Sequence, residues 1–353
     1  MPIASRAPAY PTRLRIASTL LVLSAACSAD SAGIMSPTIT TTDSTASNPP
    51  VTQAPGATGS ASAPNVMAGA IFWADPSSSA RSTADAWRIT RPADAAQMDK
   101  IASQGTARWI GNWNADVRAD VNAAVSTITG AGAFPVLVAY NIPQRDCGGF
   151  SGSNNISVQG YRDWITAFAN GIGARRAAVI LEPDALAGMD CLSAPDQQVR
   201  TDLLRYAVQT LVAKGSVSVY LDAGNPRWKT AATMAQRLVS AGIAQAQGFS
   251  LNVSNFYLTS ENTAYGAQVS GLVGGKHFVI DTGRNGLGPA TDAAWCNPDG
   301  RAIGARPTTA TGNALVDAYL WIKTPGESDG TCNGAPAAGT WMPEYALGLS
   351  QRG

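Results

Sequence analysis

The sequence predicts an α/β fold and, within that class, a β/α barrel filling residues 65–353. Three observations carry the expectation. Short runs rich in Val, Ile and Leu alternate with longer amphipathic stretches, the pattern of parallel strands buried on both faces and joined by helices. Seven or eight such units follow one another without a break, which favours a barrel over an open doubly wound sheet. Nearly every run also ends in a carboxylate, at the strand ends where barrels of this kind gather their chemistry.

Residues 1–64 read differently. Arg6, Arg13 and Arg15 precede an apolar run at 16–26, too short to span a bilayer, and the pattern is that of a secretory signal. The run closes Leu23-Ser24-Ala25-Ala26-Cys27, similar to a bacterial lipoprotein box but with Ser24 where Leu is commonest. Lipidation of Cys27 and plain cleavage nearby both stay open. Between 28 and 64, 29 of 37 residues are Ser, Thr, Pro, Ala or Gly, with no aromatic, Lys or Arg. Such a segment buries too little apolar surface to offset chain entropy, so a disordered linker is expected. The expected organisation is a signal at 1–27, a linker at 28–64 and one catalytic domain at 65–353.

Within that domain strands are expected at 70–73, 107–110, 134–140, 178–181, 217–221, 248–253, 278–280 and 318–322. Helical patterns lie at 160–171, 195–214 and 229–240, among others. No G-x-G-x-x-G follows the first strand, and 271–277 (GLVGGKH) lacks the spacing and the Ser/Thr of a phosphate-binding loop, so nucleotides are not expected.

Composition removes other classes. The chain balances 25 Lys and Arg against 24 Asp and Glu, unlike a nucleic-acid binder with its basic surface. The one histidine, His277, cannot build a two- or three-histidine zinc site, and a structural role is expected for it. Five cysteines at 27, 147, 191, 296 and 332 show no metal spacing. In an exported chain, with Cys27 lipidated or removed, the other four can form two disulfides, and spacing alone leaves three pairings open.

The strand ends read Asp146 after 134–140, Glu182 and Asp184 after 178–181, Asp222 after 217–221, Asp281 after 278–280, and Lys323 with Glu327 and Asp329 after 318–322. One such Asp is most simply a helix cap. Five such Asp are too many for that, since converging carboxylates repel one another, a cost retained where chemistry uses it. With no ligands of other types, acid–base hydrolysis of glycosides is expected, and an oxygen-only Mg²⁺ or Ca²⁺ site is the alternative. Trp109, Trp113, Trp228, Trp295 and Trp321 fall on the same rim, where indoles can stack on the CH faces of sugars. Trp73, Trp87 and Trp164 sit inside strand or helix patterns and read as core.

At these residues the chain resembles glycoside hydrolase family 6, the cellulases. The resemblance runs from about Pro64 to the C-terminus. It rests on VAYNIPQRDCG (138–148), LEPDA (181–185), YLDAG (220–224), SNFY (254–257), IDTGRNG (280–286), WCNPDGRAIG (295–304) and WIKTPGESDG (321–330). It implies a distorted barrel of about seven strands and hydrolysis of β-1,4-glucosidic bonds with inversion.

It also implies roles. Asp184 would be the general acid. Asp146 would raise its pKa and draw a proton from the attacking water through a second water. Asp222 would tune the acid, Asp281 would be the base, and Tyr140 would press on the sugar at the cleavage point. Trp109, Trp321, Lys323 and Glu327 would hold sugars on the non-reducing side and Trp228 on the leaving side. Asn255 would contact substrate, and Ser151 or Ser153 would position the water. The implied disulfides are Cys147–Cys191 and Cys296–Cys332. One departure is visible: Asn225 stands where the family usually has His, and cannot carry a proton. Only ten residues separate Asn285 from Cys296, and such short loops imply an open groove and internal cleavage. A cellobiohydrolase with a roofed tunnel, or a non-catalytic carbohydrate-binding barrel, are the alternatives. The expected partner is a β-glucan, with no cofactor, no metal, no nucleic acid and no transmembrane segment. The expected state is a monomer, secreted or tethered by lipid.

Overall fold

In the computed structural model, which describes residues 64–152 and 155–353, seven parallel strands hydrogen-bond in chain order. They are β1 (Arg108–Gly111), β2 (Val136–Tyr140), β3 (Ala177–Leu181), β4 (Val217–Asp222), β5 (Gly248–Leu251), β6 (His277–Asp281) and β7 (Val316–Leu320). The signal, the linker, Cys27 and Ser153 lie outside the described residues. Helices α1 (Ser79–Trp87) and α2 (Pro92–Ala102) precede β1. Helices α3 (Val117–Gly130), α4 (Val158–Ile172), α5 (Ala194–Val212), α6 (Ala231–Ser240) and α7 (Thr259–Leu272) each join two consecutive strands, and α8 (Pro343–Gln351) closes the chain. Most starts are capped as the sequence dictates. Ser157, Ser193 and Thr230 accept from backbone N–H groups of the first turns of α4, α5 and α6.

The two-residue period of a strand sorts the core into two layers. Leu137 and Ala139 of β2 face the surrounding helices, in one apolar cluster with Val179, Leu221 and Phe168. Val136, Val138 and Tyr140 face inward, with Ile180, Tyr220 and Val279. The same alternation puts Asp222 two residues above Tyr220, and Asp281 above Val279. The inward column therefore ends at the rim in polar side chains.

The curl stops short of a closed barrel. Strands β1 and β7 are joined only by a parallel bridge between Thr106 and Trp321, where the Ala107 N–H donates to the Trp321 carbonyl at 3.0 Å. The start of β1 thus stands level with the end of β7.

The expected strand at 70–73 is absent. That segment makes one ladder-like bond, from the Phe134 N–H to the Ile71 carbonyl at 2.8 Å, and Ile71 is 70% exposed. Its apolar residues cover Gly105, where a Cβ would come within 2.5 Å of Phe72, rather than pairing with a neighbour. The strand expected at 248–253 ends at Leu251 because Asn252 turns to φ +66°. The last strand lies two residues earlier than expected, which leaves Trp321 in the seam.

Polar groups fill the other end of the column. Asp317, fully buried, takes the Tyr220 hydroxyl at 2.6 Å on Oδ2 and lies 2.6 Å from His277 Nδ1 on Oδ1. This fits the structural role expected for His277. Asp317→Ala leaves both partners buried with a lost bond, so a loss of about 2–5 kcal/mol is expected in urea unfolding. A loss below about 1 kcal/mol would mean that the cluster bears little of the fold's stability.

Candidate active site

The C-terminal rim opens into a cleft of about 1330 Å³ lined by Trp109, Trp113, Tyr140, Asp146, Ser151, Asp184, Trp228, Asn255, Trp295, Lys323 and Glu327. The carboxylates of the rim divide into two sets according to what their oxygens touch.

The first set is buried and bonded to backbone. Glu182, 1% exposed, accepts the Asn141 and Ile142 N–H groups at 3.0 Å, which belong to the loop after β2. Asp222, also 1% exposed, accepts the Asp184 N–H from the loop after β3, its own loop's Gly224 N–H, and the Ser250 hydroxyl, each at 3.0 Å. Asp281 accepts four: Ser254 after β5, its own loop's Gly283, and Ile322 and Lys323 after β7, at 2.9–3.2 Å. Each strand-end carboxylate thus holds the loop of an adjacent strand. Burial raises all three pKa values against the pull of those N–H groups: Glu182 to about 7, Asp222 to about 6, and Asp281 upward.

The second set faces the cleft. Asp184 follows Pro183 with φ +69°, and its carboxyl is pushed well above the usual range by burial first, then by the charges of Asp222, Asp146 and Asp329. Asp146 takes the Ser151 N–H at 2.8 Å on Oδ2. Arg145 beneath it donates to the carbonyls of Tyr140 (2.5 Å) and Ser151 (2.7 Å) and to Asn112 Oδ1 (3.1 Å). Asp329 is bonded through Oδ2 to Arg284 at 2.8 Å and to the Asn297 N–H at 3.0 Å.

This geometry is held against local preference. Among the described residues, seven of the ten non-glycine positions with positive φ lie on these loops: Gln144, Asp146, Cys147, Glu182, Asp184, Asn252 and Ser254. Such conformations cost of order 1–3 kcal/mol each and persist only where the surroundings over-determine them. Here Asp222 and Asp281 hold the N–H groups of Asp184 and Ser254, while Arg200 on the Gln144 carbonyl, the Ser151 N–H on Asp146 and the Cys147–Cys191 disulfide hold the loop after β2. The two disulfides form as the resemblance implied: Cys147–Cys191 ties the loop after β2 to that after β3, and Cys296–Cys332 closes the far wall.

The aromatic lining is partly anchored and partly exposed. Tyr140 meets Trp109 edge-on at 5.2 Å between centroids, and the Trp109 indole N–H donates to the Ile322 carbonyl at 2.8 Å. Trp113 folds back over Gly111, where a Cβ would sit 2.4 Å from its ring. Trp228 is 39% exposed and Trp295 49%, the latter beside Phe150. Lys323 reaches the Ser328 carbonyl at 3.0 Å and lies 3.5 Å from Glu327, with burial lowering its pKa.

Besides Asp222, two expected site residues do not line the cleft. Trp321 is 1% exposed and donates its indole N–H to the Ala305 carbonyl at 2.9 Å, so it packs in the core instead of offering a face to sugar. Asp281, expected as the base, is 2% exposed, and both its oxygens are taken up by backbone N–H groups. Conversely, Asp329, Arg145 and Trp341 line the cleft without having been singled out as site residues. Asp329 stood in the last motif; Trp341 had no neighbouring signal. Asn225 lines the cleft too, and its side-chain oxygen accepts the Arg227 N–H at 3.1 Å. Among the described residues no group of His, Cys, Asp and Glu is arranged to hold a metal ion.

A rim with a raised-pKa carboxyl, a second carboxylate and indoles along an open cleft defines a glycoside hydrolase. The chain belongs to glycosyl hydrolases family 6, whose sequence profile matches residues 67–353. It is 46% identical over 287 residues to Endoglucanase 1 of Streptomyces halstedii, covering 78% of this chain and 87% of that one. It is 45% identical to Endoglucanase A of Cellulomonas fimi over 79% of this chain, and spans 61% of that longer protein. The endoglucanase Cel6 of Mycobacterium tuberculosis, solved with methyl-cellobiosyl-4-deoxy-4-thio-β-D-cellobioside, superposes with a TM-score of 0.78. Identity to it is 48%, over 82% of this chain and 99% of that one.

A pH profile tests the coupling between Asp222 and Asp184. A general acid works while protonated, so activity falls as pH rises through its pKa. Asp222→Asn removes a negative charge that holds the Asp184 proton, and the alkaline limb of kcat/KM should move on the order of one unit toward acid. An unmoved limb would separate the two groups.

Proposed function

We propose that the chain cleaves internal β-1,4-glucosidic bonds in cellulose or a related β-glucan, with inversion. The observation that carries the reading is Asp184: a carboxyl whose pKa burial and neighbouring carboxylates raise, in a cleft that Asp146 and several indoles also line. Asp184 gives its proton to the glycosidic oxygen as the C1–O bond breaks. A water attacks C1 from the opposite face, and its proton passes to Asp146 through a second water. Tyr140, wedged between Trp109 and the Arg145 guanidinium (4.4 Å above its ring), presses the sugar toward the oxocarbenium-like shape. Trp109, Lys323 and Glu327 hold the non-reducing side and Trp228 the leaving side. Asp222 tunes the acid; Asp281 positions the Ser254 and Lys323 backbone.

The short loops support internal cutting, as do the endoglucanase names of the relatives. A relative 34% identical over 73% of this chain, from Podospora anserina, is a probable exoglucanase, so the endo character is part of the proposal. The N-terminal pattern at 1–27 supports export. Among the described residues no helix is long and apolar enough to cross a membrane.

One time course on carboxymethylcellulose and a soluble β-glucan tests the reading. Viscosity should fall steeply while few reducing ends appear, and proton NMR should show the α-anomer first. Slow thinning with early cellobiose would point to an exo enzyme, and a first-formed β-anomer would sink the inverting mechanism.

The acid has its own test. A sugar alkoxide needs protonation to leave, whereas a dinitrophenolate does not. Asp184→Ala should lose about 10²–10⁴-fold on polysaccharide and far less on a dinitrophenyl cello-oligosaccharide. Equal damage to both substrates, with folding intact, would move the acid elsewhere on the rim.

A further inference from the structure

The cleft does not end at the residues assigned to sugars. Glu327 pairs with Trp341 in an antiparallel bridge, and the cavity continues past that indole to Asp75, Gln104 and Arg108. The seam between β1 and β7 makes this extension. Because β1 starts level with the end of β7, Arg108 stands at rim height beside Trp109, on the outward face of the strand. Trp341 is a rigid platform. Its indole N–H donates to Thr83 Oγ1 at 3.0 Å, and its ring lies against Gly326 (φ +104°), where a Cβ would come within 2.6 Å. The charged pair opposite is loose. Asp75 Oδ1 accepts from Ser77, while Oδ2 faces Arg108 at 3.8 Å, beyond hydrogen-bond reach. The Arg108 side chain is 54% exposed.

We propose that this extension is an additional sugar subsite, taking one further glucosyl unit of the same chain beyond those held by Trp109 and Glu327. The indole of Trp341 supplies an apolar face for the ring. Arg108 and Gln104 donate to its hydroxyl oxygens, and Asp75 accepts from a hydroxyl; a preorganised apolar face with a few convergent polar groups is how small-molecule sites are built. The glucan direction rests on the function proposed above. The subsite makes the enzyme prefer registers that place at least three sugars on the non-reducing side of the scissile bond.

Reducing-end-labelled cellohexaose tests it. The unmodified protein should yield mainly labelled cellotriose and cellobiose. In Arg108→Ala, and separately in Gln104→Ala, labelled cellotetraose should rise. The ratio of kcat/KM on cellohexaose to that on cellotetraose should fall roughly three- to tenfold in Arg108→Ala. An unchanged pattern and ratio in both variants overturns the subsite. If the unmodified protein left every cello-oligosaccharide intact, the glucan-cleavage reading would fall instead. The subsite would then be judged by calorimetry with cellohexaose: weaker binding in Arg108→Ala supports it, and equal binding overturns it.

Discussion

Much of this rim depends on one kind of contact: a buried strand-end carboxylate accepting backbone N–H groups from the loop of a neighbouring strand. Glu182 holds the loop after β2, Asp222 that after β3, and Asp281 those after β5 and β7. A parallel sheet alone gives no such link between loops, since its ladder ends where the strands end. The carboxylates extend the order of the ladder past its last rung. Asp222 also holds the N–H of Asp184, which has positive φ, while Asp146 is held by its own bond to the Ser151 N–H and by the neighbouring Cys147–Cys191 disulfide.

The two sets of carboxylates do opposite things with the same chemistry. A group surrounded by N–H donors is anchored and screened from substrate. A group left with an open oxygen at the cleft is available to it. Burial raises Asp184 along with Asp222, but only Asp184 faces the cavity. The negative charges around Asp184 help keep it protonated. The network that positions Asp184 therefore also raises its proton affinity.

Much of the barrel was legible in the sequence because its signals are local and repeated. Apolar runs, amphipathic stretches and Ser or Thr at helix starts each carry a physical preference that the fold satisfies. Asp184 stood out as a candidate acid through its motif at a strand end. What escaped depended on distant partners. Asp281 looks like any other rim aspartate until four N–H groups from three loops are seen around it. Trp321 looked like a rim indole because it stands beside Lys323 at a strand end, and its bridge to Thr106 across the incomplete closure draws it into the seam. The run at 70–73 has a strand's composition, but its side chains pack over Gly105 and its backbone makes a single ladder-like bond, to Phe134. Trp341 became part of the cleft only through its bridge to Glu327.

Gly111 shows how far an absent atom can act. The Trp113 ring lies where the β-carbon of any other residue would be. The resting position of that indole is thus written at a position outside the cleft lining. Exchange at 111 would swing an aromatic wall outward and reshape the mouth of the groove while every sugar-facing side chain kept its identity. Groove width in such a protein can drift through backbone positions behind the wall, invisible to any comparison confined to the residues that line it.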